Sequence, residues 1–85
     1  MKEIKHKIND ELGLHARPAG MLVKLCADFK SNVKITTESK TGDAKKIFSV
    51  MSLGAKCGEL LNFTIEGEDE EAVAISLTSF LTENL

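Results

Sequence analysis

The chain has 85 residues, 42% of them hydrophobic and 28% charged, a length that accommodates one small domain over residues 1–85. No uncharged run reaches the about 18 apolar residues that a membrane-spanning helix requires, so insertion into a membrane is excluded. Eleven basic and thirteen acidic residues give a formal net charge of −2, so the charge balance predicts no nucleic-acid partner.

The N-terminal segment and the cysteines indicate the compartment and the kind of site. Residues 1–6 lack the apolar core of a signal peptide, so we expect a cytoplasmic protein. Cys26 and Cys57 have no metal-ligand spacing around them, and two cysteines are too few for a disulfide scaffold, so we expect reduced thiols and no metal site. A domain of this size buries only about 60–65% of its unfolded surface, which leaves little room for an enclosed active site. Any chemistry should therefore take place at the surface.

The first predicted element is a strand. Ile4, His6 and Ile8 alternate with polar residues, which is the period-two pattern of a strand with one covered face. His6 lies on the apolar phase of this pattern, and we interpret it as a histidine at the edge of the core, not as a ligand or catalyst. The segment Asp10–His15 contains Gly13 and is predicted to be a loop.

A helix is predicted after this loop. Pro18 fits a first helical turn, because the backbone N–H that proline lacks has no partner there. The spacing of the apolar residues predicts that the helix runs from about Ala16 to Phe29. Its buried side is predicted to carry Ala19, Leu22, Val23, Cys26 and Phe29.

The rest of the pattern predicts three further strands and two further helices. These elements are a strand over residues 32–37, a weak strand over 40–44, a short helix with Ile47, Phe48 and Met51 that ends near Gly54, a strand over 60–66, and a last helix with Val73, Ala74, Leu77, Phe80 and Leu81 on its buried side. The acidic run Glu66–Glu71 suits the positive end of the last helix dipole, and we interpret it as the start of that helix in preference to a metal or partner site. The order βαββαβα predicts an α+β domain with a four-stranded antiparallel sheet and three helices on one face.

The segment Gly13–Ala19 contains the residues most suited to chemistry. His15 stands immediately before the first predicted helix, where the first amides have no internal acceptor and the dipole adds roughly half a positive charge. The N–H groups of Ala16 and Arg17 could bind a phosphate carried by His15, and the Arg17 guanidinium could reach the same oxygens. A histidine of ordinary pKa, about 6.5, offers a neutral nucleophilic nitrogen at cellular pH. The segment therefore suggests a phosphoryl relay, but spacing alone leaves a solvated loop histidine as an alternative.

Two segments resemble the signatures of one family. Gly13–Ala19 resembles the active-site signature of HPr, the histidine phosphocarrier family of the bacterial sugar phosphotransferase system, and Ile47–Gly54 resembles its second signature. Gly67–Glu70 is similar to the family's last turn, and the resemblance covers essentially the whole chain. It implies an open-faced β-sandwich in which Nδ1 of His15 accepts phosphate from Enzyme I and passes it to IIA components of sugar permeases, with Arg17 assisting the transfer. It also implies a phosphocarrier component without a cofactor, instead of an enzyme with turnover of its own.

Two positions depart from the family's pattern. Gram-positive HPr proteins usually carry a regulatory serine, phosphorylated by HPr kinase, just before the second helix, and Lys46 occupies that position here. Lysine cannot accept this phosphate and brings the opposite charge, so the resemblance does not imply kinase regulation. Ser49 and Ser52 lie nearby, but nothing in the sequence moves the modification to either of them. Leu12 stands where a small polar residue is usual, and it either fills a local hydrophobic niche or loosens the loop before His15.

An apolar surface for partner proteins is predicted beside His15. Large apolar residues of the short second helix are too numerous to be buried completely, and exposed apolar patches with a polar rim usually mark contact sites. The residues of this predicted partner surface are Gly20, Met21, Lys24, Lys46, Ile47, Phe48 and Met51, and Arg17 and Lys45 are expected on its basic rim with Lys24 and Lys46. Ile47 and Met51 could instead be ordinary core residues. Contacts with Enzyme I and IIA must be brief, so a small transient interface is expected.

Three functions are compatible with this sequence. The leading prediction is a monomeric phosphocarrier between Enzyme I and sugar-specific IIA components. A regulatory binding module that titrates a transcription factor or metabolic enzyme, and a carrier of the nitrogen-type phosphotransferase branch, are the alternatives. The presence of His15 argues against the catabolite-repression paralogues that have lost this histidine. The sequence does not indicate which sugars are served.

Overall fold

The order of elements in the computed structural model, which describes all 85 residues, is the predicted βαββαβα. The strands and helices are β1 (Lys2–Lys7), α1 (Ala16–Ala27), β2 (Asn32–Thr36), β3 (Thr41–Asp43), α2 (Ile47–Met51), β4 (Leu60–Glu66) and α3 (Glu70–Asn84). The four strands form one antiparallel sheet in the order β1-β4-β2-β3. The three helices pack on one face of this sheet, which confirms the predicted open-faced α+β sandwich. None of the helices combines the length and the apolar character needed to span a membrane.

The hydrophobic core lies between the sheet and the helices. Along β4, Leu61, Phe63 and Ile65 alternate with less buried residues and are completely buried on the helix side of the sheet. Phe63 lies opposite Ile4 of β1 and opposite Ile35 of β2. All the fully buried apolar residues belong to one cluster of 19 side chains. The period-two pattern therefore identified the buried phase of the central strand correctly.

The first helix is two residues shorter than predicted. Its last turn tightens because the N–H groups of Asp28 and Phe29 donate to the carbonyls of Leu25 and Cys26, three residues earlier. The helix consequently ends at Ala27, while the Phe29 side chain still packs half-buried against the core. The apolar spacing predicted the buried side correctly but could not show where the turn changes.

His6 lies at the edge of the core, as its place on the apolar phase of β1 predicted. Its side chain is half-buried opposite Leu61, and its Nε2 is shielded from solvent without a hydrogen-bond partner. No charged group pairs with it. We therefore treat His6 as a packing residue.

The acidic run before α3 has a structural role that is partly different from the predicted one. Glu70 and Glu71 occupy the first turn of α3, where negative charge is favourable. Asp69 makes no capping bond and instead accepts hydrogen bonds from the Lys30 N–H (2.8 Å), the Ser31 N–H (2.9 Å) and the Ser31 hydroxyl. Asp69 thus joins the β4–α3 connection to the α1–β2 connection, and no cluster of three or more potential metal ligands is present.

Candidate functional site

His15 stands at the N-terminal end of α1 with its side chain free. The residue is the N-cap and has extended backbone angles (φ −91°, ψ −177°), but its imidazole makes no capping hydrogen bond. Its carbonyl oxygen begins the helix by accepting the Ala19 N–H at 3.0 Å. The side chain is about one-third exposed (34%), so the imidazole is accessible without being fully solvated.

Unpaired donors lie directly after His15. The backbone N–H groups of Ala16 and Arg17 donate no hydrogen bond within the chain, and Pro18 has no N–H. The exposed Arg17 guanidinium forms no ion pair or hydrogen bond. Two amides and one guanidinium are therefore available to an anion at the start of a helix, the place where the macrodipole also favours negative charge.

Gly13 fixes the loop that carries His15. Its φ of +69° is a left-handed conformation that favours glycine, and a Cβ built on it would lie only 2.5 Å from the Ala55 carbonyl oxygen. The same carbonyl accepts the Leu14 N–H at 2.9 Å, so the two segments are in direct backbone contact. The glycine of the signature is thus required by both conformation and space.

Acidic and amide side chains that the sequence interpretation did not single out surround the imidazole. A carboxylate oxygen of Asp10 lies 3.6 Å from His15 Nε2, with both side chains about one-third exposed or less (29% and 34%). The shallow cavity around His15 is lined by Asp10, Leu12, Arg17, Pro18, Met21, Glu83 and Asn84. The histidine site therefore includes the C-terminal end of α3 as well as the loop and α1.

Asp10 could have been found from the sequence, whereas Glu83 and Asn84 could not. An aspartate three residues before a glycine is typical of a turn stabilised by the aspartate side chain, and the Asp10 carboxylate does accept the Leu12 N–H at 2.9 Å. Glu83 and Asn84 reach the site only because α3 returns to the β1–α1 loop, where the Leu85 carbonyl accepts the N–H of Asp10 at 3.3 Å. No pattern of neighbouring residues in the sequence could have predicted this contact.

The predicted partner surface is largely exposed. Phe48 is 84% exposed, and Met21 and Met51 are each exposed by about two-fifths (43% and 41%). Gly20, Lys24 and Lys46 are also exposed, and α1 packs beside α2. The exposed apolar side chains Met21, Phe48 and Met51, called the apolar patch below, therefore lie on the two helices that follow His15, and exposed lysines lie on or next to the same helices.

The structure distinguishes between the alternatives that the sequence left open for three residues of this region. Ile47 is half-buried and packs against the core, so it contributes little to the patch, unlike Phe48 on the same helix. The half-buried Lys45 donates its ammonium N–H to the Phe29 carbonyl at 2.8 Å, so it is less free to meet a partner than the exposed Lys24 and Lys46. Leu12 fills no hydrophobic niche, because its side chain is 74% exposed next to the histidine site.

The fold and the site together define a class of protein. The chain is a small open-faced α+β sandwich with an accessible histidine at a helix N-terminus, unpaired anion donors beside it and an adjacent exposed apolar patch. It offers no enclosed active site around the histidine, only a shallow cavity. The imidazole is therefore accessible from outside the chain.

Comparisons with known proteins identify the family. Residues 2–83 match the family profile described as "PTS HPr component phosphorylation site". The phosphocarrier protein HPr of Lysinibacillus sphaericus is 40% identical over 83 residues, covering 98% of this chain and 94% of the relative. The chain belongs to the HPr family, the phosphocarriers of the phosphotransferase system.

Solved structures agree with this membership. The histidine-containing phosphocarrier protein of a mycoplasma matches with a TM-score of 0.93 and 30% identity, covering 96% of this chain and 93% of the other. Crh, a catabolite-repression protein of Bacillus subtilis whose crystal structure is a dimer with a swapped domain, matches with a TM-score of 0.76 and 30% identity. That match covers 100% of this chain and 98% of Crh.

Proposed function

We propose that His15 accepts a phosphoryl group from Enzyme I and passes it to IIA components of sugar permeases, with the chain acting as a single 1–85 domain and a monomer in the cytoplasm. The observation that carries the proposal is the position of the imidazole. It is accessible, makes no capping hydrogen bond to the helix and lies next to two backbone amides without partners. Membership in a phosphocarrier family supplies the kind of group that this site receives.

The transfer uses few residues of this chain. An unprotonated nitrogen of His15 donates its electron pair to the phosphorus of the donor's phosphoryl group, and the bond between phosphorus and the donor breaks. The amides of Ala16 and Arg17 and the Arg17 guanidinium bind the phosphoryl oxygens through charge-assisted hydrogen bonds. Transfer to IIA reverses these events, and the partner proteins supply the remaining catalytic groups.

The exposed apolar patch is the proposed docking surface for both partners. Phe48, Met21 and Met51 provide the apolar contacts, and the exposed Lys24 and Lys46 surround them with positive charge. A carrier must bind Enzyme I and then release it for IIA, which suits a small transient interface. The patch lies on the helices that follow His15, so docking would bring the partner's active site to the imidazole.

Regulation by a serine kinase is not part of this proposal. Lys46 is exposed and stands immediately before α2, at the position where the family resemblance leads us to expect a regulatory serine in Gram-positive relatives. The hydroxyl of Ser49 accepts the Asp43 N–H at 2.8 Å, and the hydroxyl of Ser52 donates to the Ser49 carbonyl at 2.8 Å. Both hydroxyls are engaged in local structure, so neither is an evident substitute.

Phosphorylation with labelled phosphoenolpyruvate tests the proposed function. The chain is incubated with Enzyme I, and the phosphate is located by mass spectrometry under conditions that preserve phosphohistidine. We expect one phosphate per chain, on His15, and none on His15→Ala, while His6→Ala is labelled like the native chain. Label that persists in folded His15→Ala, or no label on the native chain, would refute the assignment.

A regulatory binding module is the second candidate, because the fold also matches that of Crh. A module of this kind would form stable complexes that persist in His15→Ala. A nitrogen-type carrier would show the same labelling as the proposed carrier, but it would deliver the phosphate to a nitrogen-type IIA protein. Supplying both kinds of IIA acceptor in the labelling experiment separates these possibilities.

A further inference from the structure

Asp10 is fixed in front of the imidazole by bonds on several sides. One carboxylate oxygen accepts the Leu12 N–H at 2.9 Å, and the backbone carbonyl of Asp10 accepts the Gly13 N–H at 2.9 Å. The backbone N–H of Asp10 donates to the Leu85 carbonyl at 3.3 Å. The second carboxylate oxygen makes none of these bonds and lies 3.6 Å from His15 Nε2. The loop therefore orients a negative charge at one particular nitrogen of the ring.

We propose that Asp10 is a positioning residue that keeps a proton on Nε2 of His15 and so leaves Nδ1 free to receive the phosphoryl group. An ionised carboxylate only accepts hydrogen bonds, so it attracts a ring N–H and repels a ring lone pair. The proton of a neutral imidazole is located by the hydrogen bond made at one nitrogen, which determines the role of the other. The present 3.6 Å separation is longer than a hydrogen bond, and such contacts commonly shorten in the working complex.

The same contact also assists departure of the phosphoryl group, a consequence that rests on the proposed function. When the Nδ1–P bond breaks, its electron pair stays on Nδ1 and the phosphoryl group bonds to the acceptor. If Nε2 carries a proton, the ring leaves as neutral imidazole, whereas without that proton it would leave as the much poorer imidazolate. By favouring the protonated Nε2, Asp10 makes the phosphoryl group easier to transfer.

Two other charged side chains, Arg17 and Glu83, line the cavity around the ring, and each affects the charge that the ring can carry. Arg17, from α1, lines the same cavity and opposes a positive charge on the ring. Glu83, from α3, lines the cavity from the other side and favours that charge. Asp10 differs from Glu83 because its carboxylate lies within ion-pair distance of Nε2.

The first measurement does not depend on phosphorylation. The two neutral tautomers of His15 are quantified by NMR on the unmodified chain with ¹⁵N-labelled histidine. We expect the Nε2–H form to dominate in the native chain, and the Nδ1–H population to rise about two- to fivefold in Asp10→Asn, the size expected for loss of a partly exposed charge contact. Glu11→Gln is the matched control, because it removes an equal charge from an exposed residue of the same loop that does not line the cavity.

The second measurement follows the phosphorylated chain. The rate at which the phosphate is lost to water should fall as pH rises and Nε2 loses its proton. In Asp10→Asn the phosphate is expected to be lost about two- to fivefold more slowly at neutral pH, since the carboxylate no longer attracts the Nε2 proton. Asp10→Ser keeps an oxygen able to accept the Leu12 N–H and serves as a second variant if Asp10→Asn is poorly folded.

The outcomes separate this inference from the proposed function. An unchanged tautomer ratio in a folded Asp10→Asn or Asp10→Ser variant overturns the role of Asp10, whether or not the native chain is a carrier. An unlabelled native chain overturns the carrier function, and the tautomer measurement then still decides whether Asp10 positions the ring. A change in both the tautomer ratio and the rate of phosphate loss, absent in Glu11→Gln, supports the inference.

Discussion

Arg17 combines a free backbone amide with a free guanidinium two residues after His15. Hydrogen bonds to charged groups contribute about 1.5–3 kcal/mol, so we expect Arg17→Ala to slow phosphoryl transfer by roughly 10- to 100-fold. The transfer rate of Arg17→Lys should lie between those of the native chain and Arg17→Ala, because the lysine ammonium is a point charge, whereas the planar guanidinium can bind two oxygens. The rates are measured by rapid quenching with labelled donor.

Folding stability provides the control for Arg17. The side chain is exposed and unpaired, so both substitutions should change the free energy of unfolding by no more than about 0.5 kcal/mol. Native transfer rates in Arg17→Ala would exclude the guanidinium from the mechanism, and a large loss of stability would mean that Arg17 has a structural role.

The residues of the site differ in how well sequence alone could predict them. Local chemistry makes His15 and Arg17 candidates, because a histidine before a helix and an arginine in its first turn need no distant information, and the family resemblance favours them over a solvated loop histidine. Asp10 depends on a turn that directs its carboxylate back to the ring, a geometry that the turn signal only suggests. The bond between the Lys45 ammonium and the Phe29 carbonyl was also beyond the sequence, because the two residues are 16 positions apart.

At the scale of elements, Asp69 connects the loop between β4 and α3 to the loop between α1 and β2. The hydrogen bond from the Ser31 hydroxyl, followed by that from the Lys30 backbone N–H, lowers the pKa of the Asp69 carboxyl below its ordinary value of about 3.9. Because the pKa is lower in the folded chain, the contribution to stability is complete above about pH 4 and is lost as pH falls further. Asp69→Asn should therefore lower the free energy of unfolding at pH 7 and reduce its fall below about pH 4.

Urea unfolding at pH 7 and pH 3 measures both effects of Asp69→Asn. The difference from the native chain should be larger at pH 7 than at pH 3, because the stabilising contribution of the carboxylate decreases as the pH falls below the pKa of the unfolded chain. Glu66→Gln is a suitable control, since Glu66 is exposed and forms no ion pair. Equal unfolding midpoints for Asp69→Asn and the native chain at pH 7 would contradict the role assigned to this contact.

The five-residue helix α2 has one buried and one exposed apolar side. Val50 is completely buried, whereas Phe48 is 84% exposed. Phe48→Ala should therefore weaken binding to Enzyme I severalfold, with a change of no more than about 0.5 kcal/mol in the free energy of unfolding. Val50→Ala should show the reverse, a loss of about 2 kcal/mol in stability with native affinity among the folded molecules.

Titration calorimetry with Enzyme I and thermal unfolding compare the two α2 variants directly. If Phe48→Ala binds like the native chain, the partner surface lies elsewhere. If it instead unfolds as readily as Val50→Ala, the exposed position of Phe48 is not the one adopted in solution.

At the scale of the whole molecule, the fold was more predictable than the surroundings of the site. Period-two and helical spacing arise from burial against one face, so they predicted the longer elements and the buried phase of the sheet, whereas the three-residue β3 was predicted only as a weak strand after a turn. The site is completed by contacts between distant segments, in which Leu14 bonds to Ala55 and Asp10 bonds to Leu85. Those contacts depend on how the elements pack together, so they cannot be predicted from the residue pattern of any single element.

The reactivity of the two cysteines can be used to test this packing, because one thiol is buried and the other is exposed. Cys26 is completely buried in the core, and burial raises the pKa of its thiol to about 11, an effect that the Lys45 charge partly opposes. Cys57 is exposed in the segment before β4. At pH 8 a thiol reagent should therefore react rapidly with one cysteine per chain, and with the second only after the core opens.

The rate of the slow reaction measures opening of the whole core. Even a stability of about 5 kcal/mol makes the open form rarer than one molecule in a thousand, so the two rates should differ by at least about a thousandfold. Cys57→Ser should abolish the fast reaction and leave the slow one, and urea should accelerate the slow reaction up to the unfolding midpoint. Rapid modification of both thiols without urea would show that α1 does not stay packed on the sheet, and the imidazole at its N-terminus would then lose the surroundings on which the proposed transfer depends.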